Sequence, residues 1–233
     1  MKIGRVVALV QARMGSKRFP GKMFEMLGDH PLIEWVLLRT SKAELIDQVV
    51  LTTSIKSSDD PLEDFANNMG LNVYRGSETD VLGRMAEAAE NYSAETVIRI
   101  CADNPFIDPH ELDRLIKEYR SKPCDYACNH QNRLNSRYAD GFGAEILSNN
   151  LLQKIAKISI RASHREHVTL YIWDNAKLFQ LHCIEAPSEL AFPELKFDVN
   201  TPLDLNQLNI LVSNGVGLGS EAKQIIKCQN SNF

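Results

Sequence analysis

Four basic side chains lie close together in a short segment near the N-terminus that contains no acidic residue. The segment covers residues 11–22 and has the sequence QARMGSKRFPGK, with Arg13, Lys17, Arg18 and Lys22. Arginine can grip two anion oxygens at once and lysine supplies a compact charge, so this set suits a polyphosphate. The alternative is an ordinary solvated loop in which glycine and proline make the turns.

Two common nucleotide-binding motifs do not fit this segment. A P-loop has four residues between its glycines and a Ser or Thr after its lysine. Here five residues separate Gly15 from Gly21, and Met23 follows Lys22. The dinucleotide fingerprint requires a third glycine, which the segment lacks. An ATP-binding P-loop and a nicotinamide-binding site are therefore both disfavoured.

Acidic residues that could hold a metal ion occur much later in the chain. Asp103 follows the predicted strand that ends at Cys101, and Asp198 precedes a predicted helix. Mg²⁺ prefers carboxylate oxygens and usually takes only one or two of them from the protein. Turn formation is the alternative explanation for each aspartate alone. Two further acids, Asp108 and Asp204, are better explained as residues that stabilise helix N-termini.

This chemistry needs strands that end at one edge of a sheet, and the hydrophobic pattern supplies them. Strands and helices alternate, which predicts an α/β fold with a mostly parallel sheet and helices on both faces. The predicted strands cover residues 6–10, 49–53, 71–74, 96–101, 125–129, 144–147 and 178–184, with a further strand ending near 197–198. The predicted helices cover residues 31–42, 59–70, 80–92, 108–120, 149–157, 165–173 and 201–212. We expect part of the less regular second half to leave the sheet as an arm or flap, and the tail after Ser213 has no assignment.

The composition is typical of one α/β domain. The chain has 233 residues, 44% of them hydrophobic, which is enough to bury a substantial core. Its five cysteines include no Cys-x-x-Cys pair, so neither a disulfide framework nor a zinc ribbon is expected. A net charge of −4 argues against nucleic acid or an anionic membrane as a partner. No stretch approaches the roughly 18 apolar residues of a membrane helix, and the N-terminus suits a strand better than a signal peptide, so we expect a cytoplasmic protein.

Residues 11–22 closely resemble the signature of the sugar-acid cytidylyltransferases. This family includes the CMP-Kdo and CMP-acylneuraminate synthetases and, with particular similarity, relatives known as spore-coat polysaccharide biosynthesis proteins. The likeness runs from about Ile3 to Val212. It implies a three-layer α/β/α Rossmann-like nucleotidyltransferase fold, with a mostly parallel sheet, in a single domain over residues 1–233. It also implies a homodimer, in which residues 125–190 contribute the acceptor site and a small dimerisation arm.

The resemblance assigns roles on the nucleotide side. In the family, an arginine and a lysine of the loop hold the triphosphate of CTP, which implies these roles for Arg13 and Lys22. Residues 76–84 resemble a stretch that lies beside the nucleotide, although Arg84 could instead pair with a nearby glutamate. The implied nucleotide-binding residues are Ala12, Arg13, Gly15, Ser16, Lys17, Arg18, Lys22, Asp80, Arg84 and Ala102.

The resemblance also implies a magnesium site. Residues 102–105 resemble the family's Gly-Asp-x-Pro segment, with Ala102 in place of the glycine. Residues 198–205 resemble the family's Asp-x-x-Thr-Pro-x-Asp-Leu segment. Asp103 and Asp198 are therefore the implied Mg²⁺ ligands. The implied catalytic residues are Arg13, Lys22 and Asp103.

Residues 138–145 resemble a family segment near the acceptor sugar, commonly Asp-Gly-x-Asp-x-Glu. Gly143 stands where the family usually has an acid, and Glu145 is expected to face the acceptor. Asp140 and Gly141 could equally form a plain turn.

Residues 161–169 contain the Arg-Glu-His-Val-Thr element of the spore-coat relatives. A zinc site fails on spacing, because the chain has His-Arg-Glu-His instead of His-Glu-x-x-His. Arg165 and Arg137 are candidate clamps for the carboxylate of an acidic sugar, with solvated surface arginines as the alternative. The predicted substrate-binding residues are Arg137, Glu145, Arg165, His167 and Asn200.

These features lead to one function hypothesis and two alternatives. The hypothesis is Mg²⁺-dependent transfer of CMP from CTP to a 2-keto-3-deoxy or nonulosonic sugar acid, with release of pyrophosphate, for cell-surface polysaccharide biosynthesis. One alternative is a glycosyltransferase that uses a nucleotide-sugar donor, since related folds serve both reactions. The other is a catalytically silent nucleotide-binding protein. The base that the enzyme selects and the identity of the acceptor are left open by the motifs.

Overall fold

The computed structural model describes residues 4–231. Residues 1–3, where the family likeness begins, and residues 232–233 lie outside the described part of the predicted 1–233 domain. The described strands are β1 (Val6–Gln11), β2 (Met26–Leu27), β3 (His30–Pro31), β4 (Gln48–Ser54), β5 (Asn72–Gly76), β6 (Thr96–Cys101), β7 (Tyr126–Cys128), β8 (Glu145–Ser148) and β9 (Leu181–Cys183). The described helices are α1 (Leu32–Thr40), α2 (Asp60–Asn68), α3 (Val81–Asn91), α4 (Pro109–Ser121), α5 (Asn149–Ile158), α6 (Ala162–Glu166), α7 (Leu170–Asp174), α8 (Pro202–Ser213) and α9 (Ala222–Ser231). Among residues 4–231, no helix has the length and apolar character needed to cross a membrane.

Seven strands form one sheet in the order β5-β4-β1-β6-β8-β7-β9. β8 runs antiparallel to both of its neighbours, and the other adjacent strands are parallel. The predicted mostly parallel α/β sheet is therefore confirmed. β1 lies between β4 and β6, so the order of the strands reverses beside it. In open α/β sheets, ligands bind at the carboxyl ends of the strands next to such a reversal.

Helices cover both faces of this sheet and produce the three layers. Val6, Ala8 and Val10 of β1 pack with α1, α4, α8 and α9 in one hydrophobic cluster. Val7 and Leu9 point the other way and pack with α3, α5 and α7 in a second cluster. All five side chains are fully buried. The unbroken apolar run that predicted β1 thus reflects a strand with a core on each side.

The second half of the chain follows the prediction only in part. The strands predicted at 125–129, 144–147 and 178–184 join the main sheet, whereas the segment between β8 and β9 leaves the sheet as helices, two of which pack on α3. Its role as a dimerisation arm stays a prediction. The predicted strand at 178–184 is shorter, because residues 176–178 form a turn of 3-10 helix before β9 begins.

The helix predicted at 165–173 is wrong as a single element. The structure has two short helices, α6 and α7, separated by residues 167–169. The β-branched Val168 and Thr169 are poor helix formers. Val168 is buried, and the Thr169 hydroxyl donates a hydrogen bond to Glu145 at 2.8 Å. The buried contact of Val168 and the hydrogen bond of Thr169 therefore stabilise the break more than a continuous helix would.

Two further segments differ from the expectation. The prediction that a strand ends at residues 197–198 is wrong. This segment makes one isolated bridge, between Lys196 and Asp140, and belongs to no strand. The unassigned tail forms α9, which packs its apolar residues into the core. The Asp108 carboxylate accepts a hydrogen bond from Ala222 N at 2.6 Å, in addition to capping α4 as predicted.

Candidate active site

The basic loop, residues 12–25, lies where β1, β4 and β6 end. Gly21 has a left-handed backbone with φ 74°, which lets the chain turn back towards Met14. The loop borders a cleft of about 260 Å³ that also reaches the residues after β6. Predicted residues that line this cleft are Ala12, Arg13, Ser16, Lys17, Arg18, Lys22, Ala102 and Asp103. Gly15, Asp80 and Arg84 lie outside this lining.

Asp59 anchors the loop from beneath. Its buried carboxylate accepts hydrogen bonds from Met14 N (2.8 Å), Ser54 N (3.1 Å) and Thr53 Oγ1 (3.0 Å). Burial alone would raise the pKa of Asp59, but these hydrogen bonds, together with that from the Ser54 hydroxyl, lower it below its ordinary value. The sequence indicated only a helix start here, so this role was missed.

Lys22 joins the basic loop to the carboxylates. Its side chain is buried, and Nζ donates a hydrogen bond to Val199 O at 2.6 Å. The same Nζ lies 3.4 Å from Asp103 Oδ2. Val199 N in turn donates to Asp103 O at 2.8 Å, which ties the loop after β6 to the segment before α8. Lys22 of the basic loop and Asp103 therefore lie together at the same edge of the sheet.

Three carboxylates, Asp103, Asp140 and Asp198, act on one another at this edge. Burial, followed by the charges of Asp198 and Asp103, raises the pKa of Asp140 to about 7. Burial and the charge of Asp103 also raise the pKa of Asp198. Asp140 is a functional candidate that the sequence attributed to a turn. Its bridge to Lys196 and the adjacent Gly141, with φ 111°, bring it beside the other two.

This cluster fits a divalent cation by its charge and its chemistry. Burial first, and then the charge of the neighbouring carboxylates, raises the pKa values of Asp140 and Asp198, and a bound cation would offset both effects. The donors are hard oxygens, which Mg²⁺ prefers. Within residues 4–231, no three His, Cys, Asp or Glu side chains are arranged as a ready-made metal shell. Phosphate oxygens and water would therefore have to complete the coordination.

The remaining nucleotide-side residues have defined partners. Arg13 Nη2 lies 3.6 Å from Glu166 Oε1 at the mouth of the cleft, and Arg18 donates to Asn200. Asn200 also donates to Asp198, so it links the loop to the acidic cluster. Arg84 is buried and donates to Ser77 O, not to a glutamate.

Comparison with known proteins decides the family. A model of the cytidylyltransferase family matches residues 7–212. The chain belongs to this cytidylyltransferase family. It is 33% identical to the spore coat polysaccharide biosynthesis protein SpsF of Bacillus subtilis, over 88% of this chain and 85% of that protein. It is 31% identical to a 3-deoxy-manno-octulosonate cytidylyltransferase of Geobacter sulfurreducens, over 51% of this chain and 46% of that protein. The solved structure of a cytidylyltransferase from Leptospira borgpetersenii has a TM-score of 0.90 and 28% identity, covering 98% of this chain and 94% of the other.

The predicted acceptor residues of this cytidylyltransferase do not all come together. Glu145 and His167 line a second cavity, next to the nucleotide cleft. Arg165 forms an ion pair with Asp80, which also caps α3 through Gly83 N at 2.8 Å. Arg137 lies on an exposed loop, outside the lining of both cavities. The roles of these residues stay predictions, and the geometry favours the first two.

Glu145 is held at the start of β8 by several donors. It accepts hydrogen bonds from Tyr126 OH at 2.5 Å, from Thr169 Oγ1 at 2.8 Å and from Arg99. Burial alone would raise the pKa of Glu145, but the Arg99 charge and these hydrogen bonds lower it to about 2. Glu145 is therefore a fixed anion in the cytidylyltransferase at neutral pH.

Gly143 leaves no room for the acid that the family usually has at this position. A Cβ atom on Gly143 would lie 2.2 Å from both Asn129 O and Asn129 Oδ1. Asn129 is itself fixed, because its side chain donates to Glu111 O at 2.8 Å and accepts from Ala144 N at 3.0 Å. This cytidylyltransferase thus replaces an acidic side chain with close backbone packing.

Proposed function

We propose that this enzyme transfers CMP from CTP to a sugar acid and releases pyrophosphate, with Mg²⁺ as its metal ion. The observation that carries the proposal is the position of Lys22, which connects the basic loop to Asp103. The spore-coat relative and the 3-deoxy-manno-octulosonate cytidylyltransferase support a sugar acid as acceptor and cell-surface polysaccharide as the destination. The proposed location is the cytoplasm, where CTP is available.

The reaction requires charge to be neutralised on two groups. An acceptor hydroxyl attacks the α-phosphorus while pyrophosphate leaves, and little other work is required of the protein. Arg13, Lys17 and Arg18 neutralise the leaving pyrophosphate along the cleft. Lys22 is fixed by a backbone carbonyl, so its ammonium stays in place for the transferring group.

The carboxylates complete the site. Asp103 and Asp198 would hold Mg²⁺, and Asp140 adds a third carboxyl group beside them. A bound Mg²⁺ supplies Lewis-acid stabilisation of the phosphate oxygens. Asn200 orients Asp198 by donating a hydrogen bond to it.

The two alternative functions make different demands. A nucleotide-sugar glycosyltransferase generally has an Asp-x-Asp metal motif, and the chain contains none. A silent binding protein requires CTP binding that depends on neither Asp103 nor Mg²⁺, and no turnover. Calorimetry with CTP, with and without Mg²⁺, distinguishes that protein from an enzyme.

A pyrophosphate-release assay tests the proposal directly. The four nucleoside triphosphates are each incubated with 3-deoxy-manno-octulosonate or N-acetylneuraminate, in Mg²⁺ or in EDTA. We expect release from CTP only when a sugar acid and Mg²⁺ are both present. Absence of turnover with every acid would contradict the proposal.

Two variants test the roles of individual residues in the same assay. Lys22→Ala and Asp103→Asn should each lower kcat/KM by about 10²–10³-fold, the loss that follows removal of a charge-stabilising group. Lys154→Ala, on the exposed face of α5, is the matched control and should retain full activity. Retained activity in either active-site variant removes the role assigned to that residue.

We also propose a homodimer formed through residues 125–190. Four large apolar side chains in this region are exposed, and the most exposed of them are Ile160 at 92% and Leu178 at 72%. Burial of such side chains between subunits would be favourable. Light scattering coupled to gel filtration should give the mass of a dimer, and the mass of a monomer at micromolar concentration would contradict this proposal.

A further inference from the structure

A second cavity adjoins the nucleotide cleft at the same edge of the sheet. Its volume is about 290 Å³, and its wall includes Arg99, His130, Arg133, Glu145, His167 and Trp173. Arg99 belongs to β6, His130 follows β7 closely, and Glu145 begins β8. None of the basic loop's side chains lines this cavity. The cavity is therefore polar and separate from the triphosphate site.

Several nitrogen atoms in the wall of this cavity have no hydrogen-bond partner in the part of the chain that the structure describes. Four of its nitrogen atoms are shielded from solvent and have no hydrogen-bond partner within the described residues: Arg99 Nε, His130 Nδ1, Arg133 Nε and Trp173 Nε1. Buried polar atoms without partners are rare and unfavourable, and each requires an explanation. The two arginine nitrogens and the indole nitrogen carry protons. A ligand rich in oxygen atoms, reached by small side-chain rotations, would supply the acceptors that they lack.

One cationic side chain in the wall of the cavity is not paired with a carboxylate of the described residues. Glu145 neutralises Arg99, with which it forms an ion pair. Arg133 makes no ion pair with a carboxylate of residues 4–231, and its guanidinium lies 4.3 Å from the centre of the Trp173 ring. Burial lowers the pKa of His130 to about 4, so this imidazole is neutral at pH 7. Arg133 is thus positioned to pair with a single negative charge.

The loop that carries Arg133 has a strained backbone. Three non-glycine residues that follow it have left-handed φ values: 48° at Leu134, 61° at Asn135 and 64° at Arg137. L-amino acids rarely adopt this conformation, and such strain is concentrated at ligand-binding sites. The loop conformation therefore has a cost, which is consistent with a functional position for Arg133.

The cavity lies close enough to the nucleotide cleft for a shared reaction. Arg99 Nη2 donates to Gln11 Oε1 at 3.3 Å, and Gln11 lines the cleft. Glu166 lines the cleft, and the next residue, His167, lines the cavity. A ligand in the cavity would therefore face the cleft across the end of β6.

We propose that this cavity binds the acceptor sugar acid, with the Arg133 guanidinium paired to its carboxylate and Trp173 packed beside it. The inference rests on the proposed function, and it assigns the carboxylate clamp to Arg133 in place of Arg137 and Arg165. Arg165 is already paired with Asp80, and Arg137 lies outside the cavity. The uncharged His130 and the rim residue His167 contact hydroxyl groups of the sugar.

A fluorescence titration tests occupancy of the cavity without requiring turnover. The chain has two tryptophans, Trp35 in the core and Trp173 in the cavity wall. The probes are 3-deoxy-manno-octulosonate and N-acetylneuraminate, with mannose as a neutral comparison. We expect the two acids, but not mannose, to change the emission of the wild type. The change should disappear in Trp173→Phe.

Substitution of Arg133 tests the clamp. Arg133→Ala and Arg133→Gln should weaken the fluorescence-detected affinity for the acids about 30-fold, equivalent to about 2 kcal/mol. Arg133→Lys should recover part of this loss because it restores the charge but not the fork of donors. Arg161→Ala, an exposed arginine outside the cavity, is the matched control and should keep the wild-type affinity. Unchanged CTP affinity in each variant shows that the fold is retained.

Kinetics then separate this inference from the proposed function. In Arg133→Ala the KM for the acid should rise about 30-fold while the KM for CTP stays constant. Pyrophosphate release with an unchanged acid KM overturns the inference and leaves the proposed function intact. If the acids change the emission of Trp173 but no pyrophosphate is released, the proposed function is overturned and the inferred anion site in the cavity stands. The inference is also overturned if the acids cause no change in Trp173 emission, or if mannose causes the same change. It is overturned as well if the affinity for the acids is lost in Arg137→Ala instead of Arg133→Ala.

Discussion

Substitution of Asp59 by asparagine should loosen the basic loop without touching any residue in the cleft. Four donors point at the Asp59 carboxylate, two of them backbone N–H groups, of Met14 at 2.8 Å and Ser54 at 3.1 Å. An asparagine keeps one oxygen and replaces the other with an NH₂ group. Whichever way it turns, one of the two backbone donors loses its acceptor.

The size of the effect follows from this count. A buried donor left without a partner costs about 1–3 kcal/mol. For a chain of this size, each 1 kcal/mol lowers Tm by about 2–4 °C, so we expect a fall of about 5 °C. The lowered pKa of Asp59 fixes the sign of the pH dependence. The stability that Asp59 contributes is present above its pKa in the unfolded chain and is lost as pH falls through its pKa in the folded protein. The difference in Tm between the wild type and Asp59→Asn therefore shrinks below about pH 4.

Thermal unfolding and CTP calorimetry together check this reasoning. Asp64→Asn is the matched control, since it removes the same charge from an exposed position on α2, the helix that follows Asp59. We expect Asp59→Asn to lower both Tm and CTP affinity, and Asp64→Asn to lower neither. A lower Tm with unchanged CTP affinity would refute the role of Asp59 as the anchor of the loop.

Two further predictions concern the acceptor side. Glu145→Gln should destabilise the protein by about 3 kcal/mol at pH 7, because the pKa of Glu145 falls from 4.5 to about 2 on folding. This lowered pKa stabilises the fold above about pH 4.5, so urea unfolding should show the difference shrinking as pH falls towards 3; a difference independent of pH would contradict it. Gly143→Ala should lower Tm or prevent folding because its Cβ would lie 2.2 Å from Asn129 O, whereas Gly217→Ala, with nothing within 4 Å, should be neutral. Equal Tm values for the two alanine variants would show that the close packing at Gly143 is unimportant.

Much of the fold was predictable because its signals are local. The apolar run of β1 and the Asp-Pro start of α4 each lie within a few consecutive residues, and both elements appear where the sequence indicated. The break between α6 and α7 was not predictable in this way. It depends on a hydrogen bond from Thr169 to Glu145, a residue on a distant strand. A helical pattern alone contains no information about that partner.

The candidate site shows the same contrast between local signals and partners that are distant in the chain. Arg13, Lys22 and Asp103 were predicted because their motifs are short and carry charge, and the structure places all three along one cleft. Asp59 and Asp140 were missed because aspartate before a proline-containing helix or a glycine is common in turns and caps. The role of Asp59 comes from Met14, 45 residues earlier in the chain, and that of Asp140 comes from its bridge to Lys196. Such pairings exist only after the sheet has formed.

Lys22 is held by the protein itself in a position that suits the proposed reaction. Its strongest contact is with Val199 O at 2.6 Å, whereas Asp103 Oδ2 lies at the longer distance of 3.4 Å. The backbone carbonyl therefore fixes the ammonium, and the carboxylate only balances its charge. In the proposed reaction, a phosphate oxygen would take the place of Asp103 beside Lys22 without moving the lysine, and Asp103 would then be available for the proposed metal ion. Because the ammonium is already fixed, little reorganisation is needed when the triphosphate binds, and preorganised charge of this kind is what accelerates phosphoryl transfer.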